Sequence, residues 1–288
     1  MLRGLYTAAA GMITQQRRHD TVTNNISNAN TPGFKQVNAI SRSFPDMLLS
    51  LTGAEGDKSK PIGILNTGVF AEESLSIYAQ GDLSDTGRAS DFAIMSDIEV
   101  PGLTFDDSGK AVAANGDVTF QPQAFFTIQD RNGQERYSRD GTFTLNEEGF
   151  LVTSDGSFVL GTNNAPIQFE PGTAIENLTL TRGQRFVDSR TGLDTGRQLL
   201  ISLVENPNRL VREGNSKFRL DDPNSPVRPV NANDRFEVRQ GFIERSNIDS
   251  AQSMVDLMSA LRAYESNQKM VQYYDESLRK AVTEIGRI

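Results

Sequence analysis

The sequence contains no cysteine and only one histidine, His19. Without cysteine, the chain has no disulfides, no thiolate nucleophile and no zinc or iron–sulfur site that depends on sulfur. A serine triad would have to use His19 as its base, and His19 falls within a predicted helix. We therefore expect no catalytic residue, no metal site and no cofactor.

Basic residues are fewer than acidic ones, 29 against 37, which gives a formal net charge of -8. The chain lacks the positive field that steers proteins toward nucleic acid, so nucleic acid is not an expected partner. No run approaches the roughly 18 apolar residues that span a bilayer, and the amino terminus lacks a basic segment followed by an apolar one. We predict neither a membrane anchor nor a cleavable signal.

Motifs for small-molecule chemistry are also missing. The sequence has no phosphate-binding loop, dinucleotide fingerprint or Gly-x-Ser-x-Gly elbow. Adjacent carboxylates occur as Asp106-Asp107 and Glu147-Glu148, in glycine-bearing stretches typical of solvated loops. The stretch 106–117 lacks the ligand spacing of a calcium loop. No small-molecule substrate is predicted.

Both ends of the chain carry a helical pattern. From Met1 to about Asn28, and again near the carboxyl end, apolar or large residues recur in steps of three and four, the period of a heptad seam. The seam positions are Leu2, Leu5, Met12, Gln16, His19 and Ile26 at the first end, and Met254, Leu257, Leu261, Tyr264, Gln268, Val271, Leu278 and Ile285 at the second.

The apolar seams of these two helices must be buried against a partner. Two ordinary helices packed on a globular core are one interpretation. The other is that they pair with each other or with neighbouring subunits. Polar residues within narrow seams, here Gln16, His19 and Gln268, favour the second, because such residues set partner and register in coiled coils.

An asparagine-rich motif follows the first helix. Proline cannot continue a helix and glycine supplies a left-handed backbone, so we expect the helix to end here and Phe34 to anchor against a neighbour. The residues of this motif are Asn24, Asn25, Asn28, Asn30, Thr31, Pro32, Gly33 and Phe34.

The middle of the chain has the sequence pattern of an antiparallel β domain. Short strands alternate with turn signals, such as 130–133 between strands 124–129 and 136–138, followed by a meander over 143–160. Further strands are predicted at 175–180, 198–204 and 236–239. The expected fold is α+β, a central all-β antiparallel domain with long terminal α-helices that form a coiled-coil-like assembly layer.

We accordingly predict four segments. Residues 1–36 hold the first assembly helix and the motif, residues 37–82 an extended connector with a small helical or strand piece, residues 83–238 the β domain, and residues 239–288 the second assembly helix.

Three distant segments resemble the bacterial flagellar basal-body rod and hook protein family. Residues 24–35, NNISNANTPGFK, resemble the amino-terminal signature of rod subunits. YSRDGTF at 137–143, followed by GFLV at 149–152, is similar to the central β motif. GFIERSNI at 241–248, with RAYESNQK at 262–269, resembles the carboxyl-terminal signature. Relative to that family, residues 95–123 look like an insertion.

The resemblance implies a structural rod subunit that polymerises helically through its terminal helices and transmits torque from motor to hook. Its partners would be copies of itself, other rod or hook subunits and the flagellar type III export apparatus, which exports the chain unfolded to a location outside the cytoplasmic membrane. The opening residues 1–6 resemble rod proteins more than hook proteins. Residues 43–48 are similar to both distal and proximal rod subunits, and a distal-type subunit of a Gram-positive lineage is favoured.

Two other functions stay open from the sequence. A secreted β-domain binding protein or adhesin, oligomerised by its helices, fits the same element pattern. A hydrolase built on the β domain would need an isolated pair of carboxylates in a cleft.

Overall fold

The computed structural model describes residues 2–51, 60–98, 100–106, 109–112, 116, 118–222, 226–231 and 234–285. Met1, Asp107 and most of the charged stretch 52–60 lie outside these ranges. The chain divides into two compact units. The helical unit comprises Met1–Ser27, Val37–Leu75 and Asp249–Ile288, and the β unit comprises Asn28–Gln36 and Ser76–Ile248.

These units differ from the segments predicted from the sequence. Residues 28–36 and 239–248 belong to the β unit, whereas most of the connector belongs with the helices. Backbone pairing explains the assignment of the two short segments, because Gly33 N donates to the carbonyl oxygen of Glu244 at 2.8 Å within the β unit.

The helical unit contains the two predicted helices, α1 (Leu2–Ser27) and α2 (Ser250–Lys280), and α2 continues into a π-helical turn, Ala281–Ile285. Asp249 caps α2, since its carboxylate accepts hydrogen bonds from the backbone nitrogens of Ala251 and Gln252. The Arg18 guanidinium near the carboxyl end of α1 lies 3.2 Å from the Asp256 carboxylate near the start of α2. The two helices therefore run antiparallel.

Small residues let these helices approach closely. A Cβ added at Gly4 would lie 2.1 Å from the Tyr274 hydroxyl, and one at Gly11 would lie 3.0 Å from the Asn267 amide nitrogen. Buried alanines, Ala8 and Ala260, also lie in this unit. The close approach explains why the buried stripe holds so few large side chains.

The connector forms short antiparallel strands. They are β1 (Val37–Asn38), β2 (Ser41–Ser43), β3 (Met47–Leu51), β4 (Lys60–Leu65) and β5 (Val69–Ala71), with β2 paired to β5 and β3 to β4. The Thr7 hydroxyl of α1 donates to the carbonyl oxygen of Thr67 at 3.2 Å, next to β5. The predicted strand piece is thus present, as two ribbons.

The β unit holds the remaining strands. They are β6 (Leu75–Ser76) at the division between the units, β7 (Leu83–Asp85), β8 (Phe92–Ser96), β9 (Lys110–Val112), β10 (Val118–Phe120), β11 (Gln123–Gln129), β12 (Glu135–Ser138), β13 (Phe143–Leu145), β14 (Leu151–Thr153), β15 (Phe158–Val159), β16 (Leu178–Leu180), β17 (Arg185–Asp188), β18 (Asp194–Gln198), β19 (Ile201–Val204), β20 (Leu210–Gly214), β21 (Lys217–Leu220), β22 (Val227–Pro229), β23 (Phe236–Gln240) and β24 (Phe242–Glu244). Short 3-10 turns at Ile175–Asn177 and Pro207–Arg209 precede β16 and β20.

Within the described ranges, nine strands form the main antiparallel sheet, in the order β13-β14-β15-β11-β12-β21-β20, with β19 between β11 and β22. Smaller antiparallel groups are β16-β17-β18, β8-β23, β7-β24 and the β9-β10 hairpin inside the predicted insertion. The predicted meander over 143–160 is confirmed. The predicted strand at 175–180 begins instead as a 3-10 turn.

Phenylalanine rings dominate the core of the β unit. The ring of Phe143 lies 5.6 Å from Phe92 and 5.1 Å from Phe126, and Phe186 lies 5.9 Å from Phe92. All four side chains are fully buried. Aromatic contacts at these distances add to the free energy of apolar burial, so the β unit has a core of its own.

Candidate assembly site

The asparagine-rich motif spans the division between the two units. Asn24 and Asn25 lie in the last turn of α1, where Asn24 is exposed and Asn25 is buried. The Asn25 amide donates to the carbonyl oxygen of Val37 at 2.8 Å and accepts from its nitrogen at 3.0 Å, so it binds both backbone groups of that residue. In the β unit, Asn28, Thr31 and Pro32 are half-buried, Asn30 is exposed, and Gly33 and Phe34 are buried.

Gly33 and Phe34 fix the motif inside the β unit. Gly33 has a left-handed backbone, φ +67°, and a Cβ there would lie 2.5 Å from the carbonyl carbon of Arg139. The Phe34 ring packs under the Arg212 guanidinium at 4.2 Å, and Arg212 donates to the carbonyl oxygen of Lys35 at 2.6 Å. The neighbour that receives Phe34 is thus a segment of its own chain.

A buried charged cluster follows directly, formed by Lys35, Arg139 and Glu244. Lys35 Nζ lies 2.6 Å from Glu244 Oε1, and Arg139 Nη1 lies 3.2 Å from Glu244 Oε2. The exposed fractions of the three side chains are 1%, 0% and 0%. One carboxylate therefore pairs with two cations in the interior of the β unit.

The surrounding groups satisfy most of the hydrogen-bonding capacity of the cluster. Arg139 Nη2 donates to Gln123 Oε1 at 2.6 Å and to Ser96 Oγ at 3.0 Å, and its Nη1 also donates to the carbonyl oxygen of Ile94. Gly81 N donates to Glu244 Oε1 at 2.9 Å. Among the side-chain atoms of these three described residues, only Nε of Arg139 is buried without a hydrogen-bond partner. Such satisfaction is what makes buried charges tolerable.

Burial and charge act in opposite directions on these groups. Burial lowers the pKa of the Lys35 ammonium to about 8, against the attraction of Glu244, and the Arg139 charge lowers it further. Burial would raise the pKa of Glu244, but the charges of Arg139 and Lys35 and the hydrogen bonds it accepts bring that pKa below its ordinary value. Glu244 is therefore ionised at neutral pH.

The cluster draws one residue from each of the three segments that carry the family resemblance. Between β12 and β13, the Asp140 carboxylate accepts a hydrogen bond from Thr142 N at 3.0 Å. A Cβ at Gly141 would lie 1.8 Å from the carbonyl oxygen of Phe92, so close packing requires the glycine. The role of Arg139 was missed, because its partners are distant in sequence.

The helix seams lie in the helical unit and are partly half-buried and partly exposed. Half-buried members are Leu5, Met12, His19, Ile26, Leu257, Tyr264, Val271 and Leu278. Exposed members are Gln16, Met254, Leu261 and Gln268. The side chains of Leu2 and Ile285 lie outside the part that the structure describes.

The outer surface of α2 carries an exposed apolar stripe that includes two of the seam residues. Met254, Met258 and Leu261, spaced four and three residues apart, are 54%, 51% and 42% exposed. On α1, Tyr6 and Ile13 are exposed and one heptad apart. Sequence reasoning found only part of this surface. The spacing of Met254, Met258 and Leu261 was the available signal.

The structure offers little that resembles a catalytic centre. Across the described residues, no three His, Asp or Glu side chains are placed to hold a metal ion. Glu147 and Glu148 are exposed loop residues, and Asp106 Oδ1 accepts from Lys110 N in a turn. None of the helices in this part of the chain is long and apolar enough to cross a bilayer.

Three family models match segments of the chain. "Flagella basal body rod protein" matches residues 5–35, "Flagellar hook protein FlgE/F/G D1 domain" matches residues 121–182, and "Flagellar basal body rod FlgEFG protein C-terminal" matches residues 239–284. Each segment contributes one residue of the buried charged cluster. The matches define the class of rod and hook proteins of the bacterial flagellum.

Full-length relatives narrow the class further. The chain is 36% identical to the flagellar hook-basal body complex protein FlhO of Bacillus subtilis over 100% of both chains. It is 31% identical to the flagellar basal-body rod protein FlgG of Agrobacterium fabrum, over 96% of both, and 31% identical to FlgF of Caulobacter vibrioides, over 100% of both. The chain therefore belongs to the flagellar basal-body rod protein family.

Proposed function

We propose that this chain is a structural subunit of the flagellar basal-body rod and has no enzymatic activity. It matches relatives that are named as rod or hook-basal body proteins over at least 96% of each chain. The observation that carries the assembly role is the exposed apolar stripe on the outer surface of α2. Exposed apolar patches of this kind mark surfaces that bind other proteins.

The terminal helices form the assembly layer in this proposal. The helix pair of one subunit packs its exposed apolar side chains, Met254, Met258 and Leu261 among them, against helices of neighbouring subunits. The coiled-coil-like packing repeats helically, and torque passes from motor to hook through it. Gln16 and Gln268, which are exposed, and His19 set the register of neighbouring helices.

The partners follow from the same reasoning. They are copies of this chain, other rod and hook subunits, and the type III export apparatus. The subunit lies in the flagellar basal body, outside the cytoplasmic membrane, and reaches it through that export apparatus. The names of its relatives support the basal-body location.

Replacing the outer stripe of α2 separates assembly from folding. Met254→Gln, Met258→Gln and Leu261→Gln together should leave the circular dichroism of the purified monomer unchanged, because these side chains are already exposed. In a strain that lacks the native gene, the variant should fail to complete the rod, as seen by microscopy of isolated basal bodies.

The matched control is Glu265→Gln, an exposed position further along α2. It should support normal rods. Normal rods in the triple variant would contradict the assembly role of the stripe, and normal motility in the deletion strain would contradict the rod function itself.

A separate replacement of Gln16, His19 and Gln268 by leucine should disturb assembly while the β unit stays folded, and unchanged rods would refute the register role.

A further inference from the structure

The buried charged cluster is unbalanced without Glu244. Lys35 and Arg139 are both cations with almost no exposed surface, and Glu244 is the carboxylate that contacts each of them. Throughout the described residues, neither cation forms an ion pair with any other carboxylate. Removing the anion would leave two like charges in the interior, which is far more costly than an exposed charge.

Lys35 is more dispensable than Glu244. The carbonyl oxygen of Ala79, which accepts from Lys35 Nζ at 2.8 Å, also accepts from the Asn247 amide at 3.2 Å. Glu244 without Lys35 would still accept from Gly81 N and pair with Arg139. No acceptor is orphaned, so the loss of Lys35 leaves a balanced pair.

Glu244 also enters the cluster with the last strand of the β unit. Strand β24 pairs with β7, and its Glu244 carbonyl oxygen accepts from Gly33 N in the amino-terminal segment at 2.8 Å. A chain is synthesised from its amino end, so Lys35 and Arg139 are both made before their counter-ion.

We propose that the buried charged cluster is a closure lock on the β unit. The amino-terminal segment 28–36 docks stably only when β24 is in place and Glu244 pairs with Lys35 and Arg139. In a chain without that carboxylate, the segment around Lys35 stays undocked and exposed. The lock is a property of the β unit and goes beyond the role of the chain as a rod subunit. It gives the β unit an all-or-none dependence on a segment that lies 209 residues after Lys35.

Near-isosteric variants of the full chain test the charge basis of the lock. Glu244→Gln should shift the folding equilibrium toward the unfolded state by more than about a hundredfold, and Lys35→Met by less than about tenfold, as measured by urea unfolding. Combining the two changes should make the chain more stable than Glu244→Gln alone, because one of the two uncompensated cations is removed. If only lost packing mattered, the double variant would be less stable than Glu244→Gln alone.

Three results would overturn the proposal. They are a double variant that is no more stable than Glu244→Gln, a Lys35→Met variant as unstable as Glu244→Gln, and, where Glu244→Gln does not fold, a double variant that does not fold either. Recovery of folding in the double variant supports the lock in that last case.

Trypsin provides a second measurement, because it cleaves after lysine and Lys35 is buried in the native chain. Glu244→Gln should speed cleavage after Lys35 by at least about tenfold, in proportion to the open population. The control Glu237→Gln removes a carboxylate of the same unit whose ion pair with Arg239 is exposed, and it should leave the rate unchanged. Equal rates in Glu244→Gln and the native chain would also refute the lock.

Discussion

Gly33 allows the packing of the asparagine-rich motif to be tested with an internal control. Gly33 and Gly87 both lie in the β unit and have similar left-handed backbones, φ +67° and +63°. A Cβ at Gly87 would meet nothing within 4 Å, whereas one at Gly33 would lie 2.5 Å from the Arg139 carbonyl carbon and 2.6 Å from Asp140 N. The two sites thus share the conformational cost of alanine and differ in packing.

The magnitudes follow from these distances. Placing alanine in a left-handed backbone costs about 1 kcal/mol, which is all that Gly87→Ala should lose. Gly33→Ala must also displace the backbone of residues 139 and 140, and overpacking of this kind costs about 1 to 3 kcal/mol more. Arg139 cannot move easily, since its guanidinium is buried and bound to Glu244, Gln123 and Ser96.

Urea unfolding of the purified chain can measure both variants. The sequence has no tryptophan, but the buried Tyr78 and Tyr137 lie in the β unit and contribute to near-ultraviolet circular dichroism. The far-ultraviolet signal follows α1 and α2 as a separate check. Gly33→Ala should lose about 2 to 4 kcal/mol against about 1 kcal/mol for Gly87→Ala, at an unchanged urea dependence. Equal losses in the two variants would refute the packing argument.

Two further predictions concern pH and the helix pair. The pKa of Lys35 is about 8 in the folded chain against 10.5 when unfolded, so the unfolded state binds more protons between these values. Stability should therefore rise by about 2 kcal/mol from pH 8 to 10, and this rise should be absent in Lys35→Met. Above pH 10 stability should fall again, because burial raises the pKa of Tyr78 and Tyr137 to about 12, and urea midpoints across this range check both trends. Gly4→Ala should push the Tyr274 ring off α1 and speed amide hydrogen exchange at the start of that helix, and unchanged exchange would count against the close approach.

The sequence revealed what is periodic or local. The helices of 26 and 31 residues are long enough for a repeat of three and four to stand out. The hairpin of β11 and β12 was predicted because turn residues mark it, as at Asp130, whose carboxylate accepts from Asn132 N and Gln134 N. Strands such as β17 and β21 were missed, since four residues give no clear alternation.

Contacts between residues that are distant in the chain could not be predicted from the sequence. Arg139 lies 105 residues from Glu244, and no local pattern indicates that they form a buried ion pair. Asn247 is a similar case, because its side chain accepts from Gln36 N and donates to the carbonyl oxygen of Ile77. The resemblance marked these segments as important, but only the fold shows that they meet in the β unit.

The two units differ in which charged and apolar side chains they bury or expose, and this contrast supports the proposed assembly surface. The β unit buries charges such as Lys35 and Arg139, and satisfies them with its own carboxylate and backbone. The helical unit leaves large apolar side chains such as Tyr6 and Met258 more than half exposed. Burial of apolar surface drives most protein association, whereas a satisfied interior offers a partner nothing to gain. The helices are therefore where contact with further subunits would recover the most free energy.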